Sequence, residues 1–127
     1  GIEFNPLYEL TADFDNHTSE LAMDEFLRRK DLPTAIFCES DEMAFGVIKS
    51  IRKKGLRVPE DISIIGFDDH EFSATLGLTT VAQTPRFLGQ LAASQILAAI
   101  ERPESALGSI SLPTSLVIRE SVTNLEK

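Results

Sequence analysis

One cysteine, a shortage of positive charge and the lack of any long apolar run narrow what this chain of 127 residues can be. Cys38 has no second thiol to pair with inside the chain, so no internal disulfide forms, and the reducing cytoplasm is the simplest compartment for it. A bilayer-spanning helix needs roughly 20 consecutive apolar residues, and no stretch here approaches that length, so no membrane association is expected. Lys and Arg number 12 against 20 Asp and Glu, a formal net charge of -8. A phosphate backbone repels such a chain, which makes it a poor nucleic-acid binder unaided. The opening Gly1-Ile2-Glu3-Phe4 has neither an initiator methionine nor the basic-then-apolar leader of a secreted precursor. The expectation is therefore a chain without a signal peptide, from which upstream residues have been removed. Internal repeats and low-complexity segments are absent. So are the G-x-G-x-x-G and P-loop patterns, which removes the usual nucleotide sites, and the G-x-S-x-G motif, which leaves no marked nucleophile. No catalytic residue, cofactor or metal is expected.

What is present is an ordinary globular composition, 43% hydrophobic and 25% charged. Short apolar runs alternate with longer helical patterns, the signature of βαβ units and an α/β fold with a parallel sheet. Residues 7–12 read as a first strand and 19–29 as a helix. Residues 35–38 (Ala-Ile-Phe-Cys) read as a strand covered on both faces. The next helix is the best marked: Ser40 caps it, Asp41 and Glu42 suit the positive end of its dipole, Ala44, Val47, Ile48 and Ile51 form an apolar stripe, and Gly55 closes it. A buried strand follows over 62–67, an irregular stretch over 71–78, an extended piece over 79–83, a long helix over 86–100, a loop over 101–108 and a last strand over 115–119. The helix over 86–100 is apolar around much of its circumference, more than so short a chain can cover by itself. It is expected to find its partner in a second copy or in another part of the protein.

In open parallel sheets, ligands bind beyond the carboxyl ends of the strands. Those ends carry Asp13-Phe14-Asp15-Asn16, Glu39-Ser40-Asp41, Asp68-Asp69-His70 and Gln83. Gathered on one edge, they offer carboxylates, an amide and an aromatic face, a set suited to a neutral polyhydroxylated ligand. Plainer roles stand beside this one: Asp41 as a helix cap, Phe14 as core, Gln83 as a solvated turn residue. Asp68, Asp69 and His70 are adjacent on an extended segment and point to opposite sides, so they cannot converge on one ion without a special turn.

From about residue 32 to 122 the chain resembles the lactose-repressor/galactose-repressor (LacI/GalR) family of bacterial transcription regulators. The resemblance rests on Pro33-Thr34-Ala35-Ile36-Phe37, on Ser40-Asp41-Glu42-Met43-Ala44-Phe45-Gly46, and on the stretch from Gly55 through Val58-Pro59-Glu60-Asp61 to Gly66-Phe67-Asp68-Asp69. It continues with Leu78-Thr79-Thr80-Val81, Gln83 and Leu88-Gly89, and ends with Leu112-Pro113-Thr114-Ser115-Leu116-Val117-Ile118-Arg119-Glu120-Ser121, all in the family's order. It implies a type I periplasmic-binding-protein-like fold, in which two α/β subdomains clasp a small effector, a sugar ahead of a purine. This chain would be the C-terminal part of that effector-binding domain. Residues 1–82 and 112–127 would belong to the C-terminal subdomain, and 83–111 would be a crossover segment packing on the N-terminal subdomain.

The resemblance further implies a cytoplasmic homodimer that reaches operator DNA through an N-terminal helix-turn-helix not included here, with effector binding altering operator affinity. It places Phe14 against the effector ring, Asp68 as a hydrogen-bonding partner and Gln83 in the cleft near the crossover. Asp41 matches the second residue of the family's Asn-Asp pair, and Ser40 stands where the family has Asn. Two rivals come from other classes: a periplasmic sugar-binding receptor of an ABC uptake system, which the unpaired Cys38 disfavours, and a flavodoxin-like enzyme using Asp68 or Asp69.

Overall fold

A computed structural model describes residues 3–102, 104 and 108–124. It is mixed α/β, with helices α1 (Asn16–Phe26), α2 (Asp41–Lys53) and α3 (Pro85–Glu101) and strands β1 (Ala35–Phe37), β2 (Ser63–Asp68), β3 (Thr79–Ala82) and β4 (Ser115–Val117). The four strands form one sheet in the order β1-β2-β3-β4. β1, β2 and β3 run parallel, with Ile36 beside Ile64 and Gly66 beside Thr80. β4 lies antiparallel to β3, so the sheet is mostly parallel with one reversed edge strand.

The expected strand over 7–12 does not form. Asn5 accepts a hydrogen bond from the Leu7 amide at 3.0 Å, and Pro6 sets the first turn of a 3-10 helix, Pro6–Tyr8. The segment beyond joins no sheet. An open groove of about 880 Å³, lined by Leu10, Ala12, Phe14, Ile36 and Phe37 among others, separates it from β1. A strand exists only where its backbone has a partner in the ladder, and none pairs with this segment among the described residues. For the same reason β1 is covered on one face rather than both: Cys38 just beyond it is buried, while Phe37 is 56% exposed.

α1 begins three residues earlier than the apolar pattern suggests, because Asp15 caps it and accepts from the His17 and Thr18 amides at 2.7 and 2.9 Å. His17 lies exposed in its first turn. α2 matches its expected start and stop, from the Ser40 cap to Gly55, whose φ of +83° suits glycine. The two helices pack closely at Gly46, where a Cβ would collide with the Asn16 carbonyl and the Ser19 hydroxyl. Across their outer rim Lys49 meets Glu20 at 2.6 Å, and Asp24 meets Lys53 at 2.7 Å and the Ser50 hydroxyl at 2.5 Å.

The core lies between this helix pair and the sheet, built from Met23, Phe26, Ala44, Ile48, Ile51 and Ile64 with their neighbours. α3 takes no part in it: none of its residues is buried, and Phe87, Leu88, Ile96, Leu97 and Ile100 are all exposed. Of the expected loop over 101–108, Glu101 instead ends α3, and residues 103 and 105–107 lie outside the described residues.

Candidate functional site

The carboxyl ends of three parallel strands meet at one edge, and the β2 end carries most of the chemistry. Asp68, its last residue, has φ +107°, and Asp69 after it has φ +55°. Two successive side chains in this region turn the backbone sharply away from the strand. The Asp68 carboxylate faces solvent and accepts a hydrogen bond from Gln83 Nε2 at 2.7 Å. Gln83 is also exposed, just past the end of β3. These two residues, distant in sequence, form one polar unit that can both accept from and donate to hydroxyl groups.

Beneath them lies a buried hub. Asp41, in the first turn of α2, is 0% exposed. Its Oδ2 accepts from the Ser73 hydroxyl at 2.5 Å and the His70 amide at 2.8 Å, and its Oδ1 accepts from the Thr80 hydroxyl at 2.6 Å. The carboxylate reaches β3 by passing under Gly66, where any Cβ would strike it. In this arrangement Asp41 presents no surface to a ligand. Ser40 beside it is buried too, its hydroxyl accepting from the Met43 amide at 3.2 Å as a helix cap. Burial, reinforced by the Asp41 carboxylate, pushes the nearby Cys38 thiol up to about 12.

Asp68, Asp69 and His70 diverge. Asp69 is ion-paired with Arg119 at 2.7 Å, and the His70 ring stacks on Phe72 and meets Phe45 edge-on. Among the described residues no group of three or more His, Cys, Asp or Glu side chains is placed to hold a metal. Phe14 is 59% exposed with φ +56°, and it lines the groove beside β1 together with Phe37 and Glu39. The edge thus holds two clusters, Asp68 with Gln83 and Phe14 with Phe37.

Local sequence reading misses Arg119, Ser73, Thr80 and Ser121. Arg119 donates to the Leu78 carbonyl as well as to Asp69, and the Ser121 hydroxyl donates to the Ile64 carbonyl at 2.6 Å while accepting from the Thr79 amide at 2.8 Å. For Arg119, Thr80 and Ser121 the only sequence trace is membership of the stretches that carry the family resemblance, and Ser73 lies outside those stretches.

The parallel sheet, with its polar residues gathered past the strand ends, is the architecture of a small-molecule binding domain of the periplasmic-binding-protein type. Residues 1–122 match the periplasmic binding protein-like domain family, and the chain belongs to it. Its relatives include transcriptional repressors, and LacI family regulators are among the solved structures that it resembles. It is 35% identical over 127 residues to the ribose operon repressor of Haemophilus influenzae, covering 98% of this chain and 38% of that protein. It is similar to a LacI family transcriptional regulator from Enterococcus faecium solved with bound ribose, at 32% identity and a TM-score of 0.82 over 92% of this chain and 44% of that one. The lac repressor dimer bound to operator and the anti-inducer ONPF aligns at 33% identity and a TM-score of 0.81, over 88% of this chain and 40% of that one. The chain therefore spans well under half the length of the proteins it matches.

Proposed function

We propose that this chain is the effector-sensing part of a LacI-type transcriptional repressor and that it forms one wall of a cleft for a polyhydroxylated ligand, a pentose such as ribose. The observation that carries the reading is the exposed Asp68–Gln83 pair at the carboxyl edge of the sheet, 2.7 Å apart. A charged acceptor beside an amide suits the donor-and-acceptor pattern of sugar hydroxyls, and Phe14 offers a ring for the C–H face of a sugar from the neighbouring groove. Ser40 and Asp41 serve this wall from within, holding its shape rather than touching the ligand.

Residues 1–82 and 112–127 make one subdomain in this reading, and 83–111 cross to a second subdomain supplied by the rest of the protein. The unburied α3 supports that division. The intact repressor works as a cytoplasmic homodimer, meets operator DNA through a separate N-terminal headpiece and performs no catalysis. The exposed Phe72 and Leu76 of the 71–78 segment, together with α2, offer a dimer surface.

The test is calorimetry of the full-length protein with D-ribose. Asp68→Asn should weaken binding by about 1.5–3 kcal/mol, the worth of a charge-assisted hydrogen bond. Unchanged affinity would remove Asp68 from the site.

A further inference from the structure

We propose that Arg119 and Asp41 are positioning residues that clamp the left-handed Asp68–Asp69 turn from two sides and so fix the Asp68 carboxylate where a ligand can use it. The proposal rests on the reading of Asp68 as an effector-binding group.

Two consecutive non-glycine residues with φ of +107° and +55° do not hold that conformation by local preference. Such backbone persists where its surroundings over-determine it. The hydrogen bonds from the Asp69 and His70 amides and the ion pair on the Asp69 side chain all come from other elements. The Asp69 amide donates to Thr80 Oγ1 at 3.3 Å on β3. The next amide, that of His70, donates to the buried Asp41 carboxylate at the start of α2. The Asp69 side chain is gripped by Arg119, which follows β4.

Arg119 is itself immobilised. One arm of its guanidinium donates to the Leu78 carbonyl at 2.7 Å, and its own amide donates to Thr79 Oγ1 at 2.9 Å. The rigid planar fork therefore ties Asp69 to the start of β3 and cannot follow it outward. Asp41 is equally fixed, with its remaining contacts on Ser73 and Thr80. Asp68 makes no such buried contact of its own, and the direction of its carboxylate is that of the backbone it sits on. If the clamp is released, the pair relaxes toward ordinary negative φ, and the carboxylate swings off Gln83. The clamp thus serves binding without touching ligand.

The experiment pairs two readouts on the full-length protein: amide hydrogen exchange, resolved at residues 69 and 70, and calorimetry with D-ribose. Arg119→Gln is the main variant because the Arg119 side chain keeps 17% exposure, whereas Asp41 is wholly buried. Asp41→Asn is a second variant, judged only if its melting transition stays cooperative. Arg119→Gln should speed exchange at Asp69 and His70 by about tenfold while the amides of α2 keep their protection. It should also weaken ribose binding by about five- to tenfold, and Arg119→Lys should recover part of both effects. Unchanged protection at Asp69 and His70 in Arg119→Gln would overturn the clamp. Faster exchange there, with ribose binding untouched in both Arg119→Gln and Asp68→Asn, would leave the clamp standing and overturn the role given to Asp68. A wild-type protein that takes up no ribose would remove the ligand assignment, and the exchange arm would then decide the clamp alone.

Discussion

A carboxylate taken wholly out of water needs its hydrogen bonds replaced one for one, and Asp41 meets that demand with two hydroxyls and an amide from two segments, the 70–73 turn and β3. The arrangement depends on Gly66, because any side chain at that strand position would occupy the space of the carboxylate. Gly66→Ala should therefore destabilise the chain by about 3 kcal/mol, the upper end of overpacking costs, since the strand and a fully bonded group must both shift. Chemical denaturation of the two forms, with unchanged slope, measures this. Cys38 supplies a second residue-scale expectation. With its thiol pushed up to about 12 by burial, it holds almost no thiolate at pH 8. It should ignore a thiol-disulfide reagent in the native chain and react fully once guanidinium unfolds it. Prompt labelling of the native form would contradict the packing around β1.

Elements with local start and stop signals were legible in the sequence, and elements defined by a partner were not. α2 carries its cap, its dipole-matched charges, its apolar stripe and its terminal glycine within one contiguous stretch. The segment 7–12 has the composition of a strand, yet strand formation is a property of pairs, and no strand pairs with it among the described residues. The start of α1 hid because Asp15 stands outside the apolar repeat. The polar rim of α1 and α2 leads to an expectation on pH. The Asp24 carboxyl is held below the usual 3.8 by the Lys53 ammonium and then the Ser50 hydroxyl, and Asp61 is held below it by Arg57. A carboxyl lowered in the folded state stabilises fully above its unfolded value and loses that contribution as pH falls through the folded one. Thermal midpoints should therefore drop below about pH 4, and Asp24→Asn should shrink that drop while lowering the midpoint at pH 7. An Asp24→Asn variant as acid-sensitive as the parent would assign the effect to other groups.

At the scale of the whole molecule, the candidate site was half legible. Asp68 and Gln83 stand where the strand-end rule puts ligand groups. Arg119 lies 50 residues from the Asp69 it holds, a pairing that only the finished fold creates. The same scale governs α3. Five of its large apolar side chains, Phe87, Leu88, Ile96, Leu97 and Ile100, are between 47% and 69% exposed. Burying each fully would contribute about 1.5–3 kcal/mol, so a helix left this bare has a strong drive to acquire a cover. In the proposed reading, the second subdomain is that cover in the intact protein. For the isolated chain the nearest equivalent is another copy of itself, which makes self-association the expected behaviour. Sedimentation velocity across a range of concentrations should show the chain growing in mass as concentration rises. The triple variant Ile96→Glu, Leu97→Lys, Ile100→Glu should remain a monomer throughout. In the full-length protein the same three changes should lower the thermal midpoint if, as proposed, α3 is buried there between subdomains. If the triple variant is neutral in the full-length protein, α3 is bare there too, and residues 83–111 do not cross between subdomains.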